Sequence, residues 1–508
     1  MSNPQNILRT IFGYDSFRPG QEEIVDRLVS GKHALAVMPT GAGKSLCYQV
    51  PALVREGLTI VVSPLVALMQ DQVAALKLAG VAAETINSAA DREANVEIWK
   101  RVASGETRIL YLAPERLMTG RMIAALQKIR IALIAVDEVH CMSQWGASFR
   151  PEYEALKNLR ANFSGVPIGA FTATADDVTR RDIAAKLFGG EVQEFVSGFD
   201  RPNIRLTVRP KSNSRKQLLA FLEDHKGESG IVYALSRKSV GEWAEVLKAN
   251  GHRAVAYHAG LPASARSEAQ DRFMTEKGIV VCATIAFGMG IDKPDVRFVF
   301  HADLPQTLDA YYQEIGRAGR DGAEAEAHMV FGLDDIRMRR RFIVGEGAGP
   351  ERARREHKRL DALVAYCETP DCRRQSLLGY FGEFSDPCGN CDVCLGPADR
   401  MTAFRHRPDL VRKTRREKRA ALVPPDIDPQ TDDLLIHLKA LRLKMAKQRG
   451  VAAYIVFSDK TLIDMAQRKP LTKWDFGEVN GVGANKQEQF GEVFLATIRQ
   501  FVELRAAS

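Results

Sequence analysis

The stretch of sequence that decides the fold runs Ala34-Leu35-Ala36-Val37-Met38-Pro39-Thr40-Gly41-Ala42-Gly43-Lys44-Ser45 and leads into an apolar segment that begins near Leu46. The pattern predicts a buried strand, a glycine-rich turn and a helix, in that order. This arrangement points backbone N–H groups at a bound phosphate. A strict P-loop has glycine where Met38 stands, so on spacing alone a chance match is the alternative.

The glycine-rich turn supplies the candidate nucleotide site. Lys44 is expected to reach the β and γ phosphates of a bound nucleotide, and the Ser45 hydroxyl is expected to ligate Mg²⁺. The other members of the predicted site are the turn residues whose backbone surrounds the phosphates, namely Thr40, Gly41, Ala42 and Gly43.

A second predicted strand ends at an acidic pair. The apolar run from Leu133 to Val136 is followed directly by Asp137 and Glu138. One carboxylate can hold Mg²⁺ and the next can orient or deprotonate the water that attacks a γ-phosphate. We therefore predict Asp137 as a magnesium ligand and both acids as catalytic. The alternative is an acidic pair that caps the start of a helix.

Two arginines lie far along the chain, in the run from Gln313 to Gly322. Arg317 and Arg320 are three residues apart, a spacing that predicts one helical face, and they could reach a γ-phosphate as arginine fingers. Taken singly, each would be a solvated or salt-bridged side chain. Together with the P-loop and the acidic pair, they predict an ATPase assembled between two lobes.

The rest of the first 330 residues predicts the fold class. Short β-branched runs alternate with helical patterns, which is typical of an α/β fold with parallel sheets. The pattern breaks around Ser197 to Asn203, so we predict two lobes of similar size. The predicted strands are 34–38, 59–63, 108–112, 133–137, 168–172, 230–233, 254–257, 279–283 and 297–301.

Composition bounds the class of protein. The 508 residues are enough for about three domains of roughly 150 residues each. Charged residues make up 26% and hydrophobic residues 45%, which excludes wholesale disorder. Lysine and arginine outnumber aspartate and glutamate by 71 − 63 = 8, so the net charge is compatible with a polyanionic partner.

No apolar run approaches the roughly 18 residues that a membrane span needs. The start of the sequence has no basic segment followed by an apolar core, so we expect a soluble protein in a reducing cytoplasm, with no membrane partner.

Cys372, Cys388, Cys391 and Cys394 form the candidate metal site. Cytoplasmic cysteines are thiols or metal ligands, and the C-x₂-C spacing of the last three is typical of a closed tetrahedral site. Four thiolates suit Zn²⁺, and they also suit an iron–sulfur cluster. In either case the residues alone predict a structural metal with no open coordination position.

These strings together resemble the RecQ family of superfamily 2 DNA helicases. Phe12-Gly13-Tyr14 and Phe17-Arg18-Pro19-Gly20-Gln21 are similar to the family's adenine-recognising motif, which implies that Tyr14 stacks on the base and that Arg18 and Gln21 contact its edge. The other resembling segments are Ser63 to Gln72 (motif Ia), Thr172 to Thr174 (motif III) and Ala283 to Asp303 (motif V).

The segment from Cys141 to Pro151 resembles the aromatic-rich loop that couples DNA contact to ATP hydrolysis in this family. The resemblance implies that Trp145, Phe149 and Arg150 contact unstacked bases. Outside this context, an aromatic cluster is more often part of a core. The loop departs from the family pattern at Ala147-Ser148, where His-Asp is usual, and this departure concerns coupling.

The resemblance covers about 5–398 and 430–506 and implies the domain plan. It predicts RecA-like lobes at 1–199 and 200–332, a helical subdomain with structural zinc at 333–398 and a helical HRDC-like domain at 430–508. The segment 399–429 is a basic linker, too short for the winged helix usual in the family. In the HRDC-like domain, the glycine turn 481–483 either donates N–H groups to phosphates or packs between helices.

The implied activity is an ATP-dependent 3′-to-5′ DNA helicase and translocase of bacterial cytoplasm, associated with the nucleoid and acting in DNA repair and recombination. Its cofactors would be ATP, Mg²⁺ and Zn²⁺. Its partners would be single-stranded and tailed duplex DNA, with single-strand-binding or recombination proteins as candidate protein partners. The two alternatives are an RNA helicase and a non-catalytic DNA-binding scaffold; the zinc segment argues against the first, and intact Lys44, Glu138 and Arg320 argue against the second.

Overall fold

The computed structural model describes residues 3–39, 41–64, 66–86, 91–143, 150–287, 293–345, 350–396, 429–449, 451 and 453–506. The chain divides into two compact units. Unit 1 consists of Met1–Gly198 and Ile427–Ser508, and unit 2 consists of Phe199–Asp426. Among the residues that the structure describes, no helix is both long and apolar enough to span a membrane.

Lobe 1, the α/β part of unit 1, is built on a parallel sheet of seven strands in the order β3-β4-β2-β5-β6-β1-β7. The strands are β1 Ala34–Val37, β2 Leu58–Val62, β3 Ala83–Ile86, β4 Ile109–Leu112, β5 Ile131–Val136, β6 Ile168–Thr172 and β7 Gln193–Val196. The helices are α1 Pro4–Ile7, α2 Gln21–Val29, α3 Leu46–Val54, α4 Val66–Leu78, α5 Arg92–Ala103, α6 Pro114–Leu117, α7 Gly120–Leu126, α8 Pro151–Glu154, α9 Leu159–Asn162 and α10 Asp177–Phe188, with a π-helical turn at Leu8–Phe12 and 3₁₀ turns at Val139–Met142 and Ala155–Asn158.

Both faces of this sheet are covered by apolar side chains. Successive residues of a strand point to opposite faces, so Ile134 and Val136 join one apolar cluster whereas Leu133 and Ala135 join the other. A parallel sheet with helices on both faces needs strands that are apolar throughout. This is why the central strands read as continuous apolar runs.

Lobe 2, the α/β part of unit 2, has a parallel sheet of six strands in the order β10-β11-β9-β12-β13-β8. The strands are β8 Ile204–Pro210, β9 Ser229–Tyr233, β10 Arg253–Tyr257, β11 Ile279–Ala283, β12 Val296–His301 and β13 Ala325–Phe331. The helices of the unit are α11 Ser214–Glu223, α12 Arg237–Ala249, α13 Ala263–Thr275, α14 Leu308–Ile315, α15 Leu333–Gly345, α16 Pro350–Glu368 and α17 Arg373–Tyr380, the last three of which lie in the helical region that the sequence predicts to bind zinc.

The HRDC-like domain is all-helical, as predicted. Its helices are α18 Pro429–Arg449, α19 Ala453–Val456, α20 Asp459–Arg468, α21 Lys473–Gly477 and α22 Ala484–Ala506. Local chemistry sets two of the helix starts: the Ser458 hydroxyl accepts from Thr461 N at 3.1 Å, and Thr472 and Asp475 form a reciprocal capping box. Phe457, Phe490 and Phe494 are fully buried at the centre of the domain.

All nine predicted strands are present, with ends that differ by at most two residues. Four strands were missed, namely β3, β7, β8 and β13. β3, β7 and β8 lie at sheet edges, and β7 buries none of its four residues fully, so its sequence carries no apolar pattern. β13 contains Glu326 and His328. The Glu326 carboxylate lies 3.5 Å from His328 and 3.7 Å from His225 of another element, and this polar cluster interrupts the apolar pattern that would have predicted a strand.

Candidate active site and zinc centre

The predicted strand, turn and helix occur where the P-loop pattern placed them. β1 ends at Val37, Met38 N bonds Thr172 O at 3.0 Å, and α3 begins at Leu46 after the turn. Gly43 has a φ of 82°, and a Cβ there would lie 2.5 Å from the Gln21 amide nitrogen. The positive φ therefore favours glycine at this position, and a Cβ would also displace the Gln21 amide. Thr40 lies outside the described residues.

The Lys44 side chain is hydrogen-bonded to the residues that follow β1. Its Nζ donates to Met38 O at 3.1 Å and to Pro39 O at 3.4 Å. These carbonyls hold the ammonium at the carboxyl end of β1, which is the edge where ligands of parallel α/β sheets bind. Ser45 lies directly beside it, just before α3.

Two residues of the adenine-recognising motif contact the P-loop directly. The buried Gln21 amide donates to Ala42 O at 2.9 Å and to Gly43 O at 3.1 Å, while its oxygen accepts from Arg18 N at 2.8 Å. The Arg18 guanidinium donates to Gly41 O. Tyr14 is 36% exposed, which leaves its ring accessible. The structure thus brings Arg18 and Gln21 to the phosphate turn.

The acidic pair follows β5 at the same edge of the sheet. Asp137 N donates to Val62 O at 2.8 Å, and Glu138 N donates to Asp137 Oδ1 at 3.0 Å. Glu138 has a left-handed backbone, φ 49° and ψ 43°, which is strained by about 1–3 kcal/mol for a residue other than glycine. Its side chain makes no capping hydrogen bond to the described 3₁₀ turn after it, so the capping alternative is wrong for Glu138.

The Asp137 carboxyl is buried, with an acidic and a basic side chain nearby. Burial and the Glu138 carboxylate raise the pKa of Asp137 to about 7, and the Lys44 ammonium opposes this shift. A divalent cation beside the carboxylate would favour its charged form. The Asp137 carboxylate and the Ser45 hydroxyl are hard oxygen donors of the kind that Mg²⁺ prefers, so the residues present fit that ion.

His140 was not singled out from the sequence. Its Nδ1 lies 2.8 Å from Thr172 Oγ1 and 3.3 Å from Glu138 Oε2, and Thr172 Oγ1 donates to Thr174 O at 3.0 Å. The side chain therefore connects the acidic pair to the Thr172–Thr174 segment. The signal that could have found it was a histidine two residues after a strand-ending acidic pair.

The arginine expectation is partly wrong. Helix α14 ends at Ile315, so Arg317 and Arg320 lie in the turn after the helix and not on one helical face. The turn is held by tertiary contacts: Arg201 and Asn203 both donate to Gly319 O at 2.9 Å. Arg317 is buried beside the Tyr233 hydroxyl, and Arg320 is half-buried, so neither is the fully solvated side chain of the alternative.

A buried histidine–glutamate contact lies at the end of α14, next to this turn. His301 Nε2, at the end of β12, lies 2.7 Å from Glu314 Oε2, near the end of α14. Both side chains are almost fully buried. Sequence reasoning missed this pair because nothing local relates a strand-end histidine to a helix glutamate thirteen residues later.

The four predicted cysteines converge on one point. Their Sγ atoms all lie within 4.8 Å of one another, with Cys372 just before α17 and the other three in the loop that follows the helix. Backbone amides support the sulfurs: Cys388 N donates to Cys372 Sγ at 3.3 Å, and Cys394 N donates to Cys391 Sγ at 3.4 Å. Four thiolates at this separation fit a tetrahedral structural metal.

Comparison with known families accounts for most of the chain. Residues 18–182 match the DEAD/DEAH box helicase family, and residues 213–322 match the helicase conserved C-terminal domain. Residues 333–395 match the RecQ zinc-binding family, and residues 432–498 match the HRDC domain.

The chain is 36% identical to the ATP-dependent DNA helicase RecQ of Haemophilus influenzae, over 97% of this chain and 95% of that protein. It is 33% identical to the protein of the same name from Bacillus subtilis, over 98% of this chain and 99% of that protein. The chain belongs to the RecQ family. It is therefore an ATP-hydrolysing helicase, and the RecQ zinc-binding match favours zinc over an iron–sulfur cluster at the four cysteines.

Solved helicase structures share the fold. The structure of Mss116p bound to ssRNA and AMP-PNP matches with a TM-score of 0.57 and 14% identity, covering 99% of this chain and 94% of that chain. The DUF1998 helicase MrfA bound to DNA and AMPPNP matches with a TM-score of 0.54 and 18% identity, covering 76% of this chain and 59% of that chain. At these identities the likeness concerns the fold of this RecQ-family chain alone.

The aromatic-rich loop of the RecQ family is described only at its ends. Trp145, Phe149 and the departures at Ala147-Ser148 lie outside the described residues, as does the Gly288–Asp292 part of motif V. Arg150 is half-buried, and its guanidinium donates to Pro64 O at 3.1 Å. At the other end, Ser143 Oγ donates to Asp182 Oδ2 at 2.6 Å. The loop is therefore anchored on the motif Ia segment and on α10.

Proposed function

We propose that this chain is a Mg²⁺- and ATP-dependent helicase that translocates 3′ to 5′ on single-stranded DNA and unwinds duplexes in DNA repair and recombination. The observation that carries the proposal is the P-loop and the acidic pair at one edge of the lobe 1 sheet, where the Lys44 ammonium is near enough to Asp137 to lower the pKa of its carboxyl. The polarity and the cellular role rest on the resemblance to the RecQ family.

In this proposal, lobe 1 binds the nucleotide and activates water. Lys44 and the backbone of residues 40–45 hold the phosphates, and Ser45 and Asp137 would hold Mg²⁺, which neutralises charge on the phosphates when bound. Glu138 accepts the proton of the attacking water as the new P–O bond forms and the bond to the β-phosphate oxygen breaks. Arg317 and Arg320 stabilise the charge on the transferred phosphoryl group.

Tyr14, Arg18 and Gln21 are proposed to recognise the adenine, and the contacts of Arg18 and Gln21 with the P-loop carbonyls support this role. Trp145, Phe149 and Arg150 are proposed to contact DNA bases. The zinc centre is assigned a structural role, because four protein thiolates leave no position for a substrate.

DNA is proposed as the substrate in preference to RNA. The Haemophilus influenzae and Bacillus subtilis relatives, which match over 97% and 98% of this chain, are named as DNA helicases. A mimivirus relative that matches over 77% of this chain is named as a putative RNA helicase, so the more extensive matches favour DNA. The neighbour bound to ssRNA shares 14% identity, a level that speaks to the fold alone.

The proposal is tested by measuring ATP hydrolysis without nucleic acid, with single-stranded DNA and with RNA. Stimulation by DNA that exceeds stimulation by RNA is expected. Glu138→Gln should lower kcat by about 10²- to 10⁴-fold while retaining ATP, since a general base contributes on that order. Lys44→Ala should impair nucleotide binding as well as turnover.

Glu152→Gln, an exposed acid on the same lobe, is the matched control and should hydrolyse ATP like the unchanged chain. DNA-stimulated hydrolysis at the unchanged rate in Glu138→Gln or Lys44→Ala would overturn the assignment of the site.

Coupling between DNA and ATP gives a further test of the proposal. Ala147 cannot hydrogen-bond or ionise through its side chain as the usual histidine would. Ala147→His should therefore raise the ratio of DNA-stimulated to basal ATPase activity, with Ala147→Gln as a control that hydrogen-bonds but does not ionise. An unchanged ratio would mean that Trp145, Phe149 and Arg150 are sufficient for coupling.

The proposal includes weak unwinding of duplex DNA. The alignment with the Haemophilus influenzae protein spans 591 positions, so at least 591 − 508 = 83 of them have no residue of this chain. The zinc-binding and HRDC matches are separated by 431 − 395 = 36 residues, too few for a winged helix. Residues 397–428 of this segment lie outside the described residues.

Without a winged helix to separate the strands, the remaining contacts with duplex DNA should be electrostatic and salt-sensitive. We expect strong ATPase activity but weak unwinding of long 3′-tailed duplexes, with unwinding per ATP falling as salt rises. The measurement is a paired assay of hydrolysis and unwinding across a salt series. A constant ratio, equal to that of a relative with a winged helix, would show that another element separates the strands.

A further inference from the structure

The HRDC-like domain packs against lobe 1 within unit 1. The backbone N–H of Gly481 donates to the carbonyl oxygen of Gly13 at 2.7 Å. Gly13 ends the π-helical turn Leu8–Phe12 and directly precedes Tyr14. The glycine turn of the HRDC-like domain therefore meets the segment proposed to recognise adenine.

The contact is backbone against backbone, and it requires glycine on both sides. A Cβ at Gly13 would lie 2.6 Å from Val482 N. A Cβ at Gly483 would lie 2.2 Å from Ile11 O, where no side-chain movement can make room. Both distances are far below ordinary van der Waals contact, so close docking depends on the absence of side chains at these positions.

A second set of contacts extends the interface. The Asn485 amide donates to Leu78 O at 3.0 Å, at the end of α4. Leu78 is itself buried among the apolar residues of the HRDC-like core, and Ala74 and Ala75 pack against the same cluster. Arg9 and Glu478 form an exposed ion pair at 3.9 Å.

The docked turn is connected to the P-loop through the segment that runs from Gly13 to Gln21. Beyond Tyr14, the Gln5 side chain donates to Asp15 O, and Arg18 and Gln21 bond the P-loop carbonyls. Docking thus restrains the Gly13 end of the segment, and the P-loop contacts of Arg18 and Gln21 restrain its other end. At the same time it occupies the Gly481 N–H, which a turn of this kind would otherwise offer to a phosphate.

We propose that the Gly481–Gly483 turn is a docking surface for residues 11–14 of the same chain, and that docking strengthens ATP binding by ordering the segment that carries Tyr14. While docked, the turn does not bind DNA phosphate. The inference deepens the proposed function and rests on it, since it assigns a regulating partner to the proposed adenine-recognising segment.

The test uses the full chain and the variant Gly483→Ala. Gly483 has an ordinary backbone conformation, so the added methyl group acts through its clash with Ile11 O and not through backbone strain. Gly481 is unsuitable because its φ is 87° and a Cβ there would meet Thr461 of its own domain at 2.4 Å. Gly491→Ala is the matched control, because its Cβ would make only ordinary contact, 3.6 Å from Phe476.

We expect Gly483→Ala to raise the KM for ATP at least fivefold, in the range typical of coupling between sites, with kcat at saturating ATP and single-stranded DNA changed by less than twofold. Hydrogen exchange of residues 8–14 and of Gly481 should accelerate, while exchange of the HRDC-like core around Leu462 and Phe494 stays slow. Gly491→Ala should leave all these quantities unchanged. Asn485→Ala, which removes a contact without adding bulk, should shift the KM in the same direction by a smaller factor.

Three results would overturn the inference. The first is faster exchange of residues 8–14 with an unchanged KM, which would separate docking from nucleotide binding. The second is unchanged exchange and unchanged KM in both variants. The third is a loss of single-stranded DNA affinity in Gly483→Ala, measured without nucleotide by fluorescence anisotropy, because it would make the turn a DNA site. If instead the unchanged chain shows no DNA-stimulated ATPase, the proposed function fails independently of these comparisons.

Discussion

Each compact unit joins one parallel sheet to one helical module, and the two joints are built differently. In unit 2, the buried Arg374 guanidinium of α17 donates to Asp200 at 2.7 Å and to Ile204 O at 2.6 Å. Cys391 also pairs with Leu206 of β8 as an isolated bridge. In unit 1, the joint consists of the Gly481–Gly13 bond, the Asn485–Leu78 bond, an exposed ion pair and the packing of one end of α4, around Leu78, against the HRDC-like core.

The difference concerns how readily each joint opens. Removing Asp200, which is 38% exposed, would leave the buried Arg374 guanidinium without its carboxylate partner and is expected to be destabilising. An exposed ion pair contributes about 0–1 kcal/mol, and a single neutral hydrogen bond contributes about 0.5–1.5 kcal/mol. We therefore expect the zinc-binding region to be a fixed part of lobe 2, and the HRDC-like domain to dock reversibly on lobe 1.

Loss of the metal should give the largest difference in stability between the zinc-binding region and the HRDC-like domain. A tetrathiolate site contributes folding free energy on the order of 10 kcal/mol in small zinc peptides, with less expected in a larger domain. Cys391→Ser should lower the zinc content and make residues 372–396 sensitive to proteolysis, while the HRDC-like domain stays resistant. Cys282→Ala, at a buried cysteine of β11 outside the cluster, should keep its zinc. Iron in place of zinc by elemental analysis, or less than half an equivalent in fully folded protein, would contradict the assignment.

The second-largest loss of stability is expected from breaking a buried ion pair in the zinc-binding region. Arg373 Nε lies 2.6 Å from Asp392 Oδ1, and both side chains are at most 8% exposed. Asp392→Ala should destabilise the zinc-binding region by about 3–5 kcal/mol, because it leaves the guanidinium buried without its partner. The measurement is the free energy of opening from hydrogen exchange of α17, with zinc content determined in parallel. Asp386→Ala removes an exposed acid of the same region and should have no comparable effect.

The HRDC-like domain should respond to pH through Lys486. Burial lowers the pKa of this lysine from 10.5 to about 8, and its ammonium donates to Ile455 O at 3.0 Å. Between pH 8 and 10.5 the unfolded chain binds more protons than the folded domain, so stability should rise with pH across this window, by an amount on the order of 1–3 kcal/mol. Denaturant unfolding of the full chain, followed by exchange in α22, measures the rise. Lys486→Met should abolish it, and an unchanged pH dependence in that variant would place the effect elsewhere.

The smallest effect belongs to the exposed ion pair of the unit 1 joint. Arg9 and Glu478 side chains are 64% and 47% exposed. Arg9→Ala should change the stability of the docked arrangement by less than about 0.5 kcal/mol, with the KM for ATP unchanged. A change in KM as large as that of Gly483→Ala would mean that charge, and not close backbone contact, holds the joint.

Much of the site could be predicted from short stretches of sequence. The P-loop turn depends on glycines at fixed positions, and the zinc site depends on cysteines at fixed spacing, so neighbours in sequence are neighbours in space. The central strands are apolar along their whole length because both faces of the sheet are buried. For these parts, local residue order already contains the physical constraint.

Other parts were decided by the tertiary structure. The Arg317–Arg320 segment is a turn because Arg201 and Asn203, more than a hundred residues earlier, hold Gly319 O. The edge strands β3, β7 and β8 are strands because a neighbouring strand pairs with them and not because of their own patterns. The turn at Gly481 meets Gly13 from the other end of the chain, and no local periodicity relates two glycines that far apart. Contacts between distant residues depend on how whole elements pack, whereas the sequence determined by itself only those features whose partners lie within one turn, one strand or one short loop.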